Sequence, residues 1–232
     1  RAAASPRGGP LPLSPQAATR GYKPQETNKY SYMTILPISY MGSTEYFARL
    51  LREECVIDLG EHYVKRSERN RASILSANGV MRLTVHVVNG NRPQQPVRDM
   101  RIDYSKRWQH QHWISIVSAY KSSPYFDFYA ERFEPFYRRE WEFLVDYNLS
   151  LLDTLCSLAK VPMPALSESY VDAAPDDLDL RPKHKEGPAF VAEPYFQVFS
   201  ERMPFCPNLS FADLLFAEGP ASVSVLARCR QE

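Results

Sequence analysis

The chain has 232 residues, enough for one domain with additions, and 44% of them are hydrophobic against 24% charged, an ordinary globular balance. Its 28 Lys and Arg stand against 27 Asp and Glu, a net charge of +1. That excludes a strongly basic nucleic-acid binder and a highly charged disordered chain. Cys55, Cys156, Cys206 and Cys229 have neither disulfide-framework nor CxxC zinc spacing, so reduced thiols in a cytoplasmic protein are expected. No apolar run approaches the roughly 20 residues that span a bilayer, so membrane insertion is not expected.

Residues 1–32 are rich in Pro, Ala, Gly and Ser, with five basic residues against Glu26. Such a segment buries too little apolar surface to offset its ordering entropy. It reads as a disordered N-terminal extension, with a native start near Met33. From Met33 the order is strand, helix, strand. Met33–Ile38 is an apolar run, Ser43-Thr44-Glu45 starts a helix with Phe47, Leu50 and Leu51 on one face, and Cys55-Val56-Ile57 is a second buried strand. A unit of this length implies a parallel pair. Residues 72–77 and 80–88 flank Asn78-Gly79, a hairpin signal for a type I′ turn, with Leu83 and Val85 facing inward beside Met81 and Val87.

Arg101–Tyr104 reads as extended, Trp108–Tyr120 as a helix, and Phe126–Leu158 as an aromatic helical stretch broken at Pro135. Residues 161–193, punctuated by five prolines, read as a flexible loop or linker. Residues 194–232 complete the domain begun at 33–160, with a helix capped by Ser210 and stopped at Gly219. The fold class is α/β: a small mixed β-sheet, made of a strand–helix–strand unit plus a hairpin, followed by an aromatic-rich helical half.

The densest polar feature is the loop at 62–71, where Lys65, Arg66, Arg69 and Arg71 face one acid, Glu68. It lies between a strand end and the hairpin, where α/β sheets bind ligands. Lys65, Asn70 and Arg71 there suit a phosphate- or carboxylate-bearing small molecule; the other reading is a solvated basic loop. The second feature is the start of the Trp108 helix. Trp108 and His112 share a face, so His112 is a candidate general base and Asp103 the carboxylate that orients it. The bland alternative is a histidine packed and hydrogen-bonded in the core. Trp108 and Tyr120 are candidate ligand-binding residues, the Tyr120 ring by stacking on a sugar or base, with core packing the favoured alternative for that ring. Asn148, which interrupts an apolar stripe, reads as a buried group that fixes helix packing. No acid or Cys follows His110 and His112 at ligand spacing, so no metal is expected. No Gly-x-Gly-x-x-Gly, Walker or Gly-x-Ser-x-Gly motif is present, and no cofactor is expected.

These residues carry a resemblance. Leu36-Pro37-x-Ser39-Tyr40, Glu45-Tyr46-Phe47, His62-Tyr63-x-Lys65-x-Ser67-x-x-Asn70-Arg71, Arg101-Ile102-Asp103-Tyr104 and Trp108-Gln109 with His112-Trp113 resemble the WbqC-like family. So do Ser123-Pro124-Tyr125-Phe126, Asn148 and Pro207-Asn208-Leu209-Ser210. The likeness covers about 33–160 and 194–220. Val85-His86-Val87 departs from a common Val-Pro-Val, which sets His86 aside as a site residue. The family's place in bacterial surface-polysaccharide (O-antigen) gene clusters implies a biosynthetic transferase acting on an activated small molecule, by aminoacyl or acyl transfer. The alternative is a non-catalytic binding or assembly protein that uses the same basic pocket.

Overall fold

The computed structural model describes residues 32–182 and 189–231. The extension expected at 1–32 lies outside them apart from Tyr32. Strand β1 (Thr34–Pro37) is buried along its whole length and leads into helix α1 (Thr44–Arg52). Ser43 caps α1 by accepting from the Tyr46 amide, with Glu45 in the first turn and Arg49 and Arg52 in the last, the charge order that the helix dipole favours. Strand β2 (Cys55–Asp58) then runs parallel to β1 in register, Thr34 opposite Cys55 through Pro37 opposite Asp58. A continuous apolar run without alternation suits a strand covered on both faces.

The hairpin forms from β3 (Arg71–Ser76) and β4 (Gly79–Thr84), a two-stranded sheet of its own. Its turn sits one residue earlier than expected. Ser76 pairs with Gly79, so Ala77 and Asn78 are the turn residues, and neither has positive φ. Gly79 takes φ +102 instead, the left-handed position after the turn, so a type I′ turn does not form. Ser76 Oγ, which donates to the Gly79 carbonyl at 2.7 Å, stabilises this arrangement. Leu83 and Val85 face the core as expected, while Met81 lies beyond its edge, 39% exposed. Leu83→Ala should therefore cost about 2–5 kcal/mol in urea unfolding, against under about 0.5 kcal/mol for Met81→Ala. Equal losses at the two positions would contradict this burial.

The helical half contains α2 (Trp108–Tyr120), α3 (Phe126–Arg138) and α4 (Leu144–Ala159). Pro135 does not break the helix at its own position. It lies in the last turn of α3, which runs on to Arg138. Gln109 Nε2 closes that end by donating to the carbonyls of Phe136 (3.1 Å) and Arg139 (2.6 Å). Segment 161–193 departs from the linker expectation. It supplies β5 (Ala165–Ser167) and β6 (Leu178–Asp179), which pair parallel with β2 and β1 and complete a four-stranded sheet in the order β5-β2-β1-β6. A second small pair joins β7 (Phe190–Val191) to β8 (Arg230–Gln231), after α5 (Phe211–Glu218) and α6 (Ser222–Arg228). The core is aromatic: Phe47 stacks on Phe211 at 4.0 Å, and Phe216 meets Tyr120, Phe126 and Phe133.

Candidate functional site

Three parallel strands deliver their carboxyl ends to one cleft. β1 continues to Ser39, Gly42 and Ser43, β2 to the basic loop at 62–70, and β6 to Arg181. Ligands of open parallel sheets bind at such ends. The hairpin forms the opposite wall. On it Ser73 pairs with Arg82 and Arg71 with Thr84. These four share one face by strand alternation, with Arg71 and Arg82 as diagonal neighbours. The cavity measures about 380 Å³.

Its arginines fall into two sets. Arg69 and Arg181 are buried and neutralised. Arg69, 1% exposed, donates Nε to Glu61 at 2.8 Å and also forms an ion pair with it. Arg181 pairs with Asp58 and with Asp179, the latter at 2.7 Å. The Arg181–Asp58 pair ties the segment containing β6 to the end of β2, and Arg69 Nη2, donating to the Arg181 carbonyl at 3.0 Å, ties it to the loop after β2. Asn148, fully buried on α4, donates to the Arg69 carbonyl at 2.7 Å and so fixes the loop from below. Arg66, Arg71 and Arg82 form the second set. None of the three has an ion-pair partner among the described residues, and the Arg71 Nε is buried without a hydrogen bond. Burial, then the charges of Arg82 and Arg66, lower the Arg71 pKa. Three like charges held together by the fold favour an anion between them. The α1 terminus does not offer its amides: Thr44 N–H donates to Leu209 O, Glu45 N–H to Asn208 Oδ1 and Tyr46 N–H to Ser43 Oγ.

A smaller cavity of about 190 Å³ adjoins the first and shares Arg66 and Arg71 with it. Lys65, Asn70 and Arg71, the expected ligand-binding set, all line it. The structure thus brings these three together. Asn70 is anchored through Nδ2 to the Val85 carbonyl at 2.9 Å.

The expected catalytic pair does not form. His112 is 6% exposed and both ring nitrogens are engaged. Nε2 accepts from the Thr84 amide at 3.1 Å, which leaves the proton on Nδ1 to donate to Tyr40 Oη at 3.0 Å. Burial pushes its pKa down to about 3. It is neutral, has no free lone pair, and lines neither cavity. Asp103 accepts from the Ser105 amide at 2.8 Å and makes no bond to His112. Trp108 and Tyr120 are also corrected as ligand-binding residues. Trp108 is enclosed by Tyr104, His112 and Tyr147. The buried Tyr120 hydroxyl donates to Asp213 at 2.8 Å and accepts from the Leu75 amide. Sequence reasoning had missed Arg82, Arg181, Ser73 and Ser210 as lining residues. Arg82 had a signal, since it sits on the polar face of the second hairpin strand.

Residues 39–183 match the WbqC-like protein family. The chain belongs to that family. The match takes in β5, β6 and Arg181, so residues 161–182 lie within the family region rather than outside it. This WbqC-like protein is also similar to a protein of Mycobacterium tuberculosis (strain ATCC 25618 / H37Rv) described as "Uncharacterized protein Rv1507c". The two are 26% identical over 230 residues, covering 86% of this chain and 99% of the relative. No solved structure matches the chain. Among the described residues no group of three or more His, Cys, Asp or Glu is placed to hold a metal ion, and no helix is long and apolar enough to cross a membrane.

Proposed function

We propose that this WbqC-like protein binds a phosphate- or carboxylate-bearing small molecule in the arginine-lined cleft and acts as a biosynthetic transferase on it. The observation that carries the reading is Arg66, Arg71 and Arg82 around one cavity without an acidic partner among the described residues. In a transfer reaction these guanidinium groups would hold the activated donor and offset charge on its leaving group. Aminoacyl or acyl transfer in surface-polysaccharide biosynthesis is the reaction class the family suggests, and the four free thiols suit a cytoplasmic setting. The second reading, a binding or assembly protein without catalysis, is favoured by one observation: the only histidine at the expected base position has both nitrogens occupied in the core.

Thermal-shift screening against sugar nucleotides, acyl donors and amino acids tests the binding half, since ligand at 100 times its Kd stabilises by about 2.7 kcal/mol. Arg71→Ala or Lys65→Ala should weaken the affinity of a hit by about 1.5–3 kcal/mol. Stability without ligand should change little, because Lys65 is exposed and the half-buried Arg71 has no ion-pair partner among the described residues to lose. Unchanged affinity in both variants would remove the cleft as the site. Turnover of a bound donor with wild-type protein, and none without it, separates the transferase from the binding protein.

A further inference from the structure

The two cavities meet at a shared wall, and polar atoms without partners mark all three parts. In the larger cavity Ser210 is 2% exposed, caps α5 by position only, and its Oγ has no hydrogen bond. In the smaller cavity the Asn70 Oδ1 is buried and unpartnered, although the amide is fixed by its Nδ2. In the wall between them stands the unpartnered Arg71 Nε. Buried polar atoms in native proteins are nearly always paired, so each such atom needs an explanation. Ser210, Asn70 and Arg71 all line the two cavities, so one occupant that reaches from one cavity to the other passes all three side chains.

Charge narrows its chemistry. Arg66 and Arg71 face both cavities, Arg82 faces the larger one and Lys65 the smaller. A single carboxylate would leave most of this charge unmatched, and an anion confined to one cavity would leave Lys65 or Arg82 unmatched. A linked pair of phosphates spans such a row, and guanidinium forks match phosphate oxygens two at a time. Beyond these cations the larger cavity holds Glu68, which offsets one of the charges, and the ion-paired Arg69 and Arg181. Ser39, Ser73 and Ser210 offer hydroxyls on one side. On the other, Asn70 lies beside Val85 and Val87 in a space of about 190 Å³.

We propose, resting on the anion-binding reading above, that the two cavities form one site for a diphosphate-bridged molecule with a hydroxyl-bearing organic group at each end. The diphosphate lies across Arg66 and Arg71, the larger group in the larger cavity and a single-ring group in the smaller. Calorimetric titration with pyrophosphate, with ADP and UDP, and with ADP-ribose and UDP-glucose tests this. At least one two-armed probe should bind tenfold or more tighter than its own nucleoside diphosphate. Asn91→Trp, an exposed position lining only the smaller cavity, should abolish that gain and leave pyrophosphate binding unchanged. Two-armed probes that bind no tighter than their diphosphates, or a gain that survives Asn91→Trp, would overturn the two-cavity site while leaving the arginine cleft intact. Absence of any diphosphate or pyrophosphate binding would overturn the diphosphate site, and diphosphate binding indifferent to Arg71→Ala would overturn the arginine cleft with it.

Discussion

Replacing Arg69 with Met should destabilise the protein by about 3–5 kcal/mol at about pH 8, measured by urea unfolding, because breaking a buried ion pair leaves its partner uncompensated. Arg69 is nearly inaccessible and lies against Glu61, which is 3% exposed. The same guanidinium donates to Ser67 Oγ at 3.2 Å and to the Arg181 carbonyl at 3.0 Å. One side chain thus joins the loop after β2 to the segment after β6. Met fills a similar volume but supplies none of these donors.

The loss should depend on pH in a stated direction. Burial pushes the Glu61 pKa up to about 7, against the opposing pull of Arg69. An unfolded Glu titrates near about 4.3, so the folded state holds its proton more tightly. Stability from this group is complete below the unfolded value and is lost as pH rises through about 7. Without Arg69 the carboxyl is still easier to protonate than to ionise, so the variant should lie nearer to wild type at about pH 5 than at about pH 8. Adding Glu61→Leu should recover part of the loss at the higher pH, since a well-packed apolar pair often replaces a buried ion pair without cost. A variant within about 1 kcal/mol of wild type at the higher pH would show that the pair does not hold the loop.

Legibility in the sequence followed the length of each signal. β1, α1 and β2 were readable because an apolar run, a Ser cap and a second run fall within one short stretch. Phe133, Phe136 and Tyr137 of α3 and Leu144, Leu151, Leu152 and Leu155 of α4 carry a stripe that periodicity finds. β5 and β6 were hidden because strands of three and two residues cannot show alternation, and prolines surround them. Their strand state comes from β2 and β1, which supply the hydrogen-bond partners. The turn was misplaced by one residue because Asn-Gly also fits a glycine that follows the turn rather than lying inside it.

The site divides in the same way. Lys65, Asn70 and Arg71 lie within seven residues and could be read as one basic loop. Arg82 joins Arg71 only through the register of β3 on β4, and Arg181 arrives from 112 residues beyond Arg69. His112 is the instructive failure. Its face was read correctly from its spacing to Trp108, but its role depends on Tyr40, which is 72 residues upstream, and on a backbone amide of the hairpin. Helical spacing says which way a side chain points and nothing about what waits there.

His112→Ala should therefore behave as a core variant. It opens a cavity among Tyr40, Trp108 and Tyr137, leaves the Thr84 amide without its partner, and takes one of two partners from the Tyr40 hydroxyl, which keeps Tyr137. A loss of about 3–5 kcal/mol near neutral pH is expected from the two effects together. The pH dependence runs opposite to that of Glu61. Burial holds the folded His112 pKa near about 3, whereas an unfolded His titrates near about 6.5. The stability conferred by the neutral ring is complete above the unfolded value. It drains away as pH falls through this window, because only the unfolded chain takes up the proton. The gap between wild type and His112→Ala should thus shrink by about 2–3 kcal/mol from about pH 7.5 to about pH 4.5, each pKa unit being worth about 1.36 kcal/mol. Affinity of the folded variant for a cleft ligand should stay within about twofold, since His112 lines neither cavity. A variant with an unchanged melting curve and turnover reduced by about 10²–10⁴ would restore His112 as the general base and remove it from the core.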